Sequence, residues 1–148
     1  MATRAITERI MGLLAEKTDL ERDAIYWLRL HDDKDRVRKG LKEVGAVASV
    51  SIENTVRQRT EEGIGDAYLI TADLVIDLLF FSDSPAKLFD LADQVTQALY
   101  DYSLTLQETG FENGLLSIED RGGVPRYNTD LNPTFNLNFL LSIAATAG

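Results

Sequence analysis

The chain has 148 residues, 45% of them hydrophobic, enough to build one core over a single domain spanning 1–148. It has no cysteine, which excludes disulfides and thiolate metal sites. Its net charge of −9 is uneven: residues 1–59 hold 12 Lys/Arg and 10 Asp/Glu, whereas 60–148 hold 3 and 14, so tight nucleic-acid binding is not expected.

Residues 3–17 place Ile6, Ile10, Leu13 and Leu14 on one stripe at helical spacing, with Thr3 as the expected N-cap. The apolar run IMGLLA inside it is far shorter than a secretory or spanning segment, and no apolar stretch in the chain reaches the roughly 18 residues of a membrane span. Residues 24–30, AIYWLRL, are aromatic and aliphatic and read as a strand or extended segment. Residues 31–45 are dense in charge and read as a short solvated helix ending at Gly45, or as a loop.

Residues 46–57 mostly alternate. Ala46, Ala48, Val50, Ile52 and Val56 share one face of a half-buried strand, Ser49, Ser51, Glu53, Thr55 and Arg57 the other, and Val47 and Asn54 break the pattern. A polar connection, 58–66, leads to a second strand over 67–81. Its even positions, from Tyr68 to Phe80, are apolar and face the helices. Its odd positions carry Leu69, Asp73, Val75, Asp77, Leu79 and Phe81. Ser84 and Pro85 open a helix over 82–102, with Leu88, Leu91, Ala92, Val95, Ala98, Leu99 and Tyr102 on its apolar face. Residues 115–121 read as a strand, 122–133 as a turn-rich connection, and 134–145 as a closing strand. The fold class expected is α+β: an antiparallel sheet of about four strands, two main helices packed on one face, and the order α-(β)-β-β-α-β-β.

Asp73 and Asp77 are the first place to look for chemistry, because they interrupt the most apolar stretch of the chain. Four residues of strand separate their Cα atoms by roughly 13 Å, wider than the about 5–9.5 Å of glycosidase carboxylate pairs. Two solvated carboxylates are the expectation, with little effect on stability when removed. Leu69, Val75, Leu79 and Phe81 beside them make this face too apolar for water alone, so a partner surface is expected to cover it, with the aspartates fixing register. The HDDKD segment fails the EF-hand pattern, since Arg38 stands where the loop needs glycine. His31 is the only histidine, which leaves nucleophilic catalysis little to build from. GIGD (63–66) precedes a strand and lacks the third glycine of a dinucleotide site, and RGGVP (121–125) lacks the Lys-Ser/Thr of a P-loop. Arg57, Arg59, Arg121 and Arg126 lie in or beside the two long connections, as rim charges of an interface or as an anion site.

The first helix, VASVSIENTVRQR, the strand AYLITADLVIDLLFF, the helix SPAKLFDLADQVTQALYDY and the closing TFNLNFLLSIAA, taken together, resemble the tail terminator (tail completion, minor tail U-like) proteins of long-tailed bacteriophages. The resemblance covers the first helix and most of the chain from residue 46. It implies a structural, non-enzymatic virion protein of the tail or neck, assembled in the host cytoplasm, with no cofactor or metal. Such subunits form a hexameric ring that caps the tail tube, ends its polymerisation and meets the head-side connector. On this reading the partners are the chain itself, the tube protein and the connector protein, with no membrane. Leu69, Asp73, Val75, Asp77, Leu79 and Phe81 would contact the neighbouring subunit, and Arg57, Arg59, Glu61, Glu62, Arg121 and Arg126 the tube or connector. The acidic 60–148 segment would suit a lumen past which DNA slides. The alternatives are another neck or tail component (head closure or tube), a dimeric adaptor, or a small-ligand-binding α+β domain with a cleft near Arg121 and Arg126.

Overall fold

The computed structural model describes residues 2–27, 45–59, 67–80, 85–128 and 131–146. The elements run α1 (Ala2–Lys17), a 3-10 turn (Arg22–Ala24), β1 (Ile25–Tyr26), β2 (Ala46–Arg59), β3 (Ala67–Phe80), α2 (Pro85–Thr109), β4 (Leu115–Asn128) and β5 (Leu131–Thr146). The architecture is α+β. The sheet departs from the expected four-stranded antiparallel one, having five strands in the order β1-β2-β3-β5-β4. It is mixed, because the two residues of β1 run parallel to β2, Ile25 opposite Ala48 and Tyr26 opposite Ser49. The AIYWLRL segment therefore contributes a paired strand of only two residues among those described.

α1 buries Ile6, Ile10, Met11, Leu13 and Leu14, the expected stripe with Met11 added. Thr3 does not cap it. The helix starts one residue earlier, and the Thr3 carbonyl accepts a 2.7 Å bond from Thr7 Oγ1 inside the first turn. At the other end Asp19 and Gln94 bond reciprocally, backbone N–H to Oε1 at 2.9 Å and Nε2 to Oδ2 at 2.8 Å, which fastens the end of α1 to α2.

α2 runs about two turns past the expected Tyr102, because Leu106, one turn on from Tyr102, continues the buried stripe. Both helices pack on the same face of the sheet. There Ile6, Ile10 and Leu14 of α1 and Leu88, Val95 and Leu99 of α2 join Val50, Leu74, Ile76, Leu78, Leu141 and Ile143 in one core.

Two bulges correct the strand readings. The β2–β3 register slips by one residue between Glu53 and Val56, where Asn54 adopts a φ of +52°. One extra residue inverts the alternation beyond it. Val56 thus leaves the helix-facing side expected for it and pairs with Thr71, while Arg57 takes the helix-facing side opposite Ile70. In β4 the register shifts between Asp120 and Gly123, with Gly122 at φ +96°. These glycines are bulge residues rather than turn residues, so the expected connection over 122–133 is mostly strand: β4 continues to Asn128 and β5 begins at Leu131. Val47, which broke the alternation of β2, faces away from the helices and is buried against Ala24, with Tyr26 and Leu79 packed alongside.

Outside the described residues lie the charged segment from Leu28 to Val44 with His31, the connection 60–66 with Glu61 and Glu62, Phe81 and the Ser84 cap.

Candidate functional site

The sheet has one face under the two helices and one turned away from them, and the second carries the residues expected at an interface. Alternation along β3 is as read: Ile70, Ala72, Leu74, Ile76 and Leu78 are buried on the helix side. On the other side Leu69, Asp73, Asp77 and Leu79 are half-buried. Val75 is 5% exposed and already covered within the chain, so it offers a partner no surface.

The two aspartates are not simply solvated. Asn54 Nδ2 donates to Asp73 Oδ2 at 2.8 Å, and Asn136 Nδ2 donates to Asp77 Oδ1 at 2.6 Å. Asn138 extends the second bond into a chain, donating to Asn136 Oδ1 at 2.7 Å. Each carboxylate is held by an amide on a neighbouring strand, an arrangement that fixes register across β2, β3 and β5. Among the described residues no group of three or more His, Cys, Asp or Glu is placed to hold a metal ion.

The arginines do not converge. Arg59 pairs with Tyr68 at the start of β3, whereas Arg126 pairs with Thr134, itself opposite Leu79 at the far end. Eleven residues of strand put these levels about 36 Å apart, which removes a joint anion site. Arg57 is exposed and lies over the Tyr68 ring, 5.6 Å from its centroid. Arg121 is exposed and faces Glu119 at 3.5 Å.

One cluster had no signal in the sequence. Glu112, just past α2, accepts a 3.1 Å bond from Arg9 Nε and a 3.3 Å bond from the Tyr102 hydroxyl, while the Arg9 guanidinium sits 5.1 Å from the Tyr102 ring centroid. Burial, then the Glu112 carboxylate, push the Tyr102 phenol up to about 12. The cluster joins α1, α2 and the turn into β4. Its residues are as much as 103 positions apart, beyond the reach of any local pattern.

A second feature follows from helical spacing along α2. α2 carries a side stripe of exposed Tyr100 and Leu104, one turn apart, followed by exposed Phe111. Beside it a groove of about 300 Å³ runs between α2 and the edge strand β4, lined by Leu99, Tyr100, Ile118, Phe139 and Asp120 among others. Ser103 braces that edge, its Oγ accepting the Ile118 N–H at 3.3 Å. No family model matches the chain, and no curated protein matches it.

Proposed function

We propose that this chain is a structural subunit of a long-tailed phage, forming a ring that caps the tail tube, ends its growth and joins it to the head-side connector. The observation that carries the reading is the placement of the two long hairpins. β2 and β3 are joined at one end of the sheet, and β4 and β5 at the other. Strands of 14 residues are about 43 Å long. A subunit of that shape, standing across a ring, presents one hairpin to the tube and the opposite hairpin to the connector. A tube cap needs two unlike axial surfaces of this kind.

Further support comes from the sheet face turned away from the helices, where half-buried Leu69 and Leu79 sit beside register-fixing Asp73 and Asp77. In this reading those residues serve association, not catalysis. The negative balance of residues 60–148 agrees with a lumen that does not hold DNA. The test is mass measurement in solution followed by electron microscopy and a tube-elongation assay. Open-centred rings of several subunits that stop tube growth are expected. A single-subunit species with no effect on elongation would overturn the reading.

A further inference from the structure

Exposed large apolar side chains lie along the two lateral edges of the sheet. Trp27 and Val56, 40% and 50% exposed, lie at the β1–β2 edge. At the α2–β4 edge Tyr100, Leu104, Phe111 and Val124 are between 39% and 64% exposed. Phe89 also stands out from α2, but its ring leans edge-on against Phe135 at 5.4 Å. Four strand spacings of about 4.8 Å put the edges nearly 20 Å apart, so the two groups cannot cover one another within one molecule. The α2–β4 group is a patch of the kind that marks an interaction surface, whereas Trp27 and Val56 stand well apart along β2.

Their charges differ in sign. The groove between α2 and β4 carries the carboxylate of Asp120, and Glu108 lies one helical turn beyond Leu104 on α2, whereas Asp93 and Asp101 line the α1 side of the helix. The last four residues of β2, Val56–Arg59, hold two arginines and no carboxylate. Two α2 faces brought together by a two-fold axis would juxtapose like charges. The acidic, grooved edge of one copy against the Val56–Arg57 edge of the next pairs opposite charges and covers apolar groups on both sides. A head-to-tail contact of this kind closes into a ring when the rotation permits.

We infer that a second copy of this chain docks its β2 edge, led by Val56 and Arg57, into the groove between α2 and β4. The inference rests on the ring reading above and places its lateral contact at the edges of the sheet, where Val56, opposite Thr71, continues the open face.

The test uses the full chain and two variants at exposed sites, Tyr100→Asp in the groove and Val56→Asp on the edge, measured by sedimentation and thermal melting. Each variant is expected to keep its melting temperature and weaken association by at least about tenfold. An equimolar mixture is expected to stop at a heterodimer, because each variant retains one working edge. Variants that still build wild-type rings would overturn the inference while leaving the ring reading intact. A wild-type chain that stays a single subunit would remove the ring reading and the inference with it. If either variant unfolds, Arg57→Glu and Asp120→Arg replace them, Asp120 being the carboxylate that lines the groove: each alone should weaken association and the pair together should restore it, and unchanged association in both would overturn the inference.

Discussion

Asn136 gives its side-chain amide to the Asp77 carboxylate at 2.6 Å, directly across the β3–β5 ladder. A hydrogen bond to an ionised group contributes about 1.5–3 kcal/mol when shielded and less when half exposed. Asp77→Ala should therefore cost about 1–2 kcal/mol in urea unfolding. Asp73 is bonded to Asn54, which is itself exposed, so Asp73→Ala should cost less than about 1 kcal/mol. Equal and negligible losses would return both residues to the solvated carboxylates expected from the sequence.

Tyr102 makes the stability of the fold depend on alkaline pH. Its phenol is raised from 10.0 to about 12, so the folded state favours the neutral form more than the unfolded state does. The stabilisation is complete below pH 10 and is lost as the pH climbs through about 12. The loss is on the order of 2 kcal/mol by linkage. Tyr102→Phe should flatten the decline between these limits, read as the urea midpoint at a series of pH values. A variant with the same alkaline slope as wild type would assign that slope to other groups.

The glycines around β4 should rank by space and backbone. A Cβ on Gly114, at φ +84°, would fall 2.5 Å from the Ala144 carbonyl oxygen, a backbone atom fixed in β5. A Cβ on Gly122, at φ +96°, meets nothing within 4 Å. Gly122→Ala should cost about 1–2 kcal/mol from the left-handed backbone alone, and Gly114→Ala clearly more. Gly123 is limited by room instead: its Cβ would lie 2.5 Å from the Phe135 ring and 2.7 Å from Leu137. Those are side-chain atoms that can give, so Gly123→Ala should cost about 1–3 kcal/mol. Thermal melts of the three variants check the order.

These glycines also show where sequence reading stops. Period-two alternation placed every described side chain of β3 on its correct face, because no bulge interrupts that central strand. On β2 one left-handed asparagine, Asn54, inverted the faces of Val56 and Arg57; its break in the alternation was visible, but alternation does not tell a polar exception from an inserted residue. On β4 the pair Gly122–Gly123 looks like a turn because the same residue type serves a turn and a bulge. The strand β1 was legible as an extended segment within 24–30, but two residues of pairing leave no pattern from which its parallel direction could be read. Of the candidate site, the half-apolar face of β3 was readable from residues 69–79. The Arg9–Tyr102–Glu112 cluster depends on tertiary approach alone. The side stripe of Tyr100 and Leu104 lay open to the same helical arithmetic that found the core stripe, one face further round α2.

The opposed hairpins allow the two axial roles to be separated. Arg59 closes β2 at one end of the sheet, and Arg126 lies near the β4–β5 turn at the other. If each end meets a different partner, Arg59→Glu and Arg126→Glu should have distinct defects: one should fail to stop tube elongation, while the other should stop it normally but fail to bind the connector. Arg126→Glu should still form rings, and Arg59→Glu, which also removes charge from the β2 edge, is compared with Arg57→Glu so that its axial defect is read apart from any loss of the lateral contact. Tube-elongation and connector-binding assays on the same preparations decide the matter. Identical defects in both variants would mean that the two ends serve one surface, which a subunit standing across a ring does not allow.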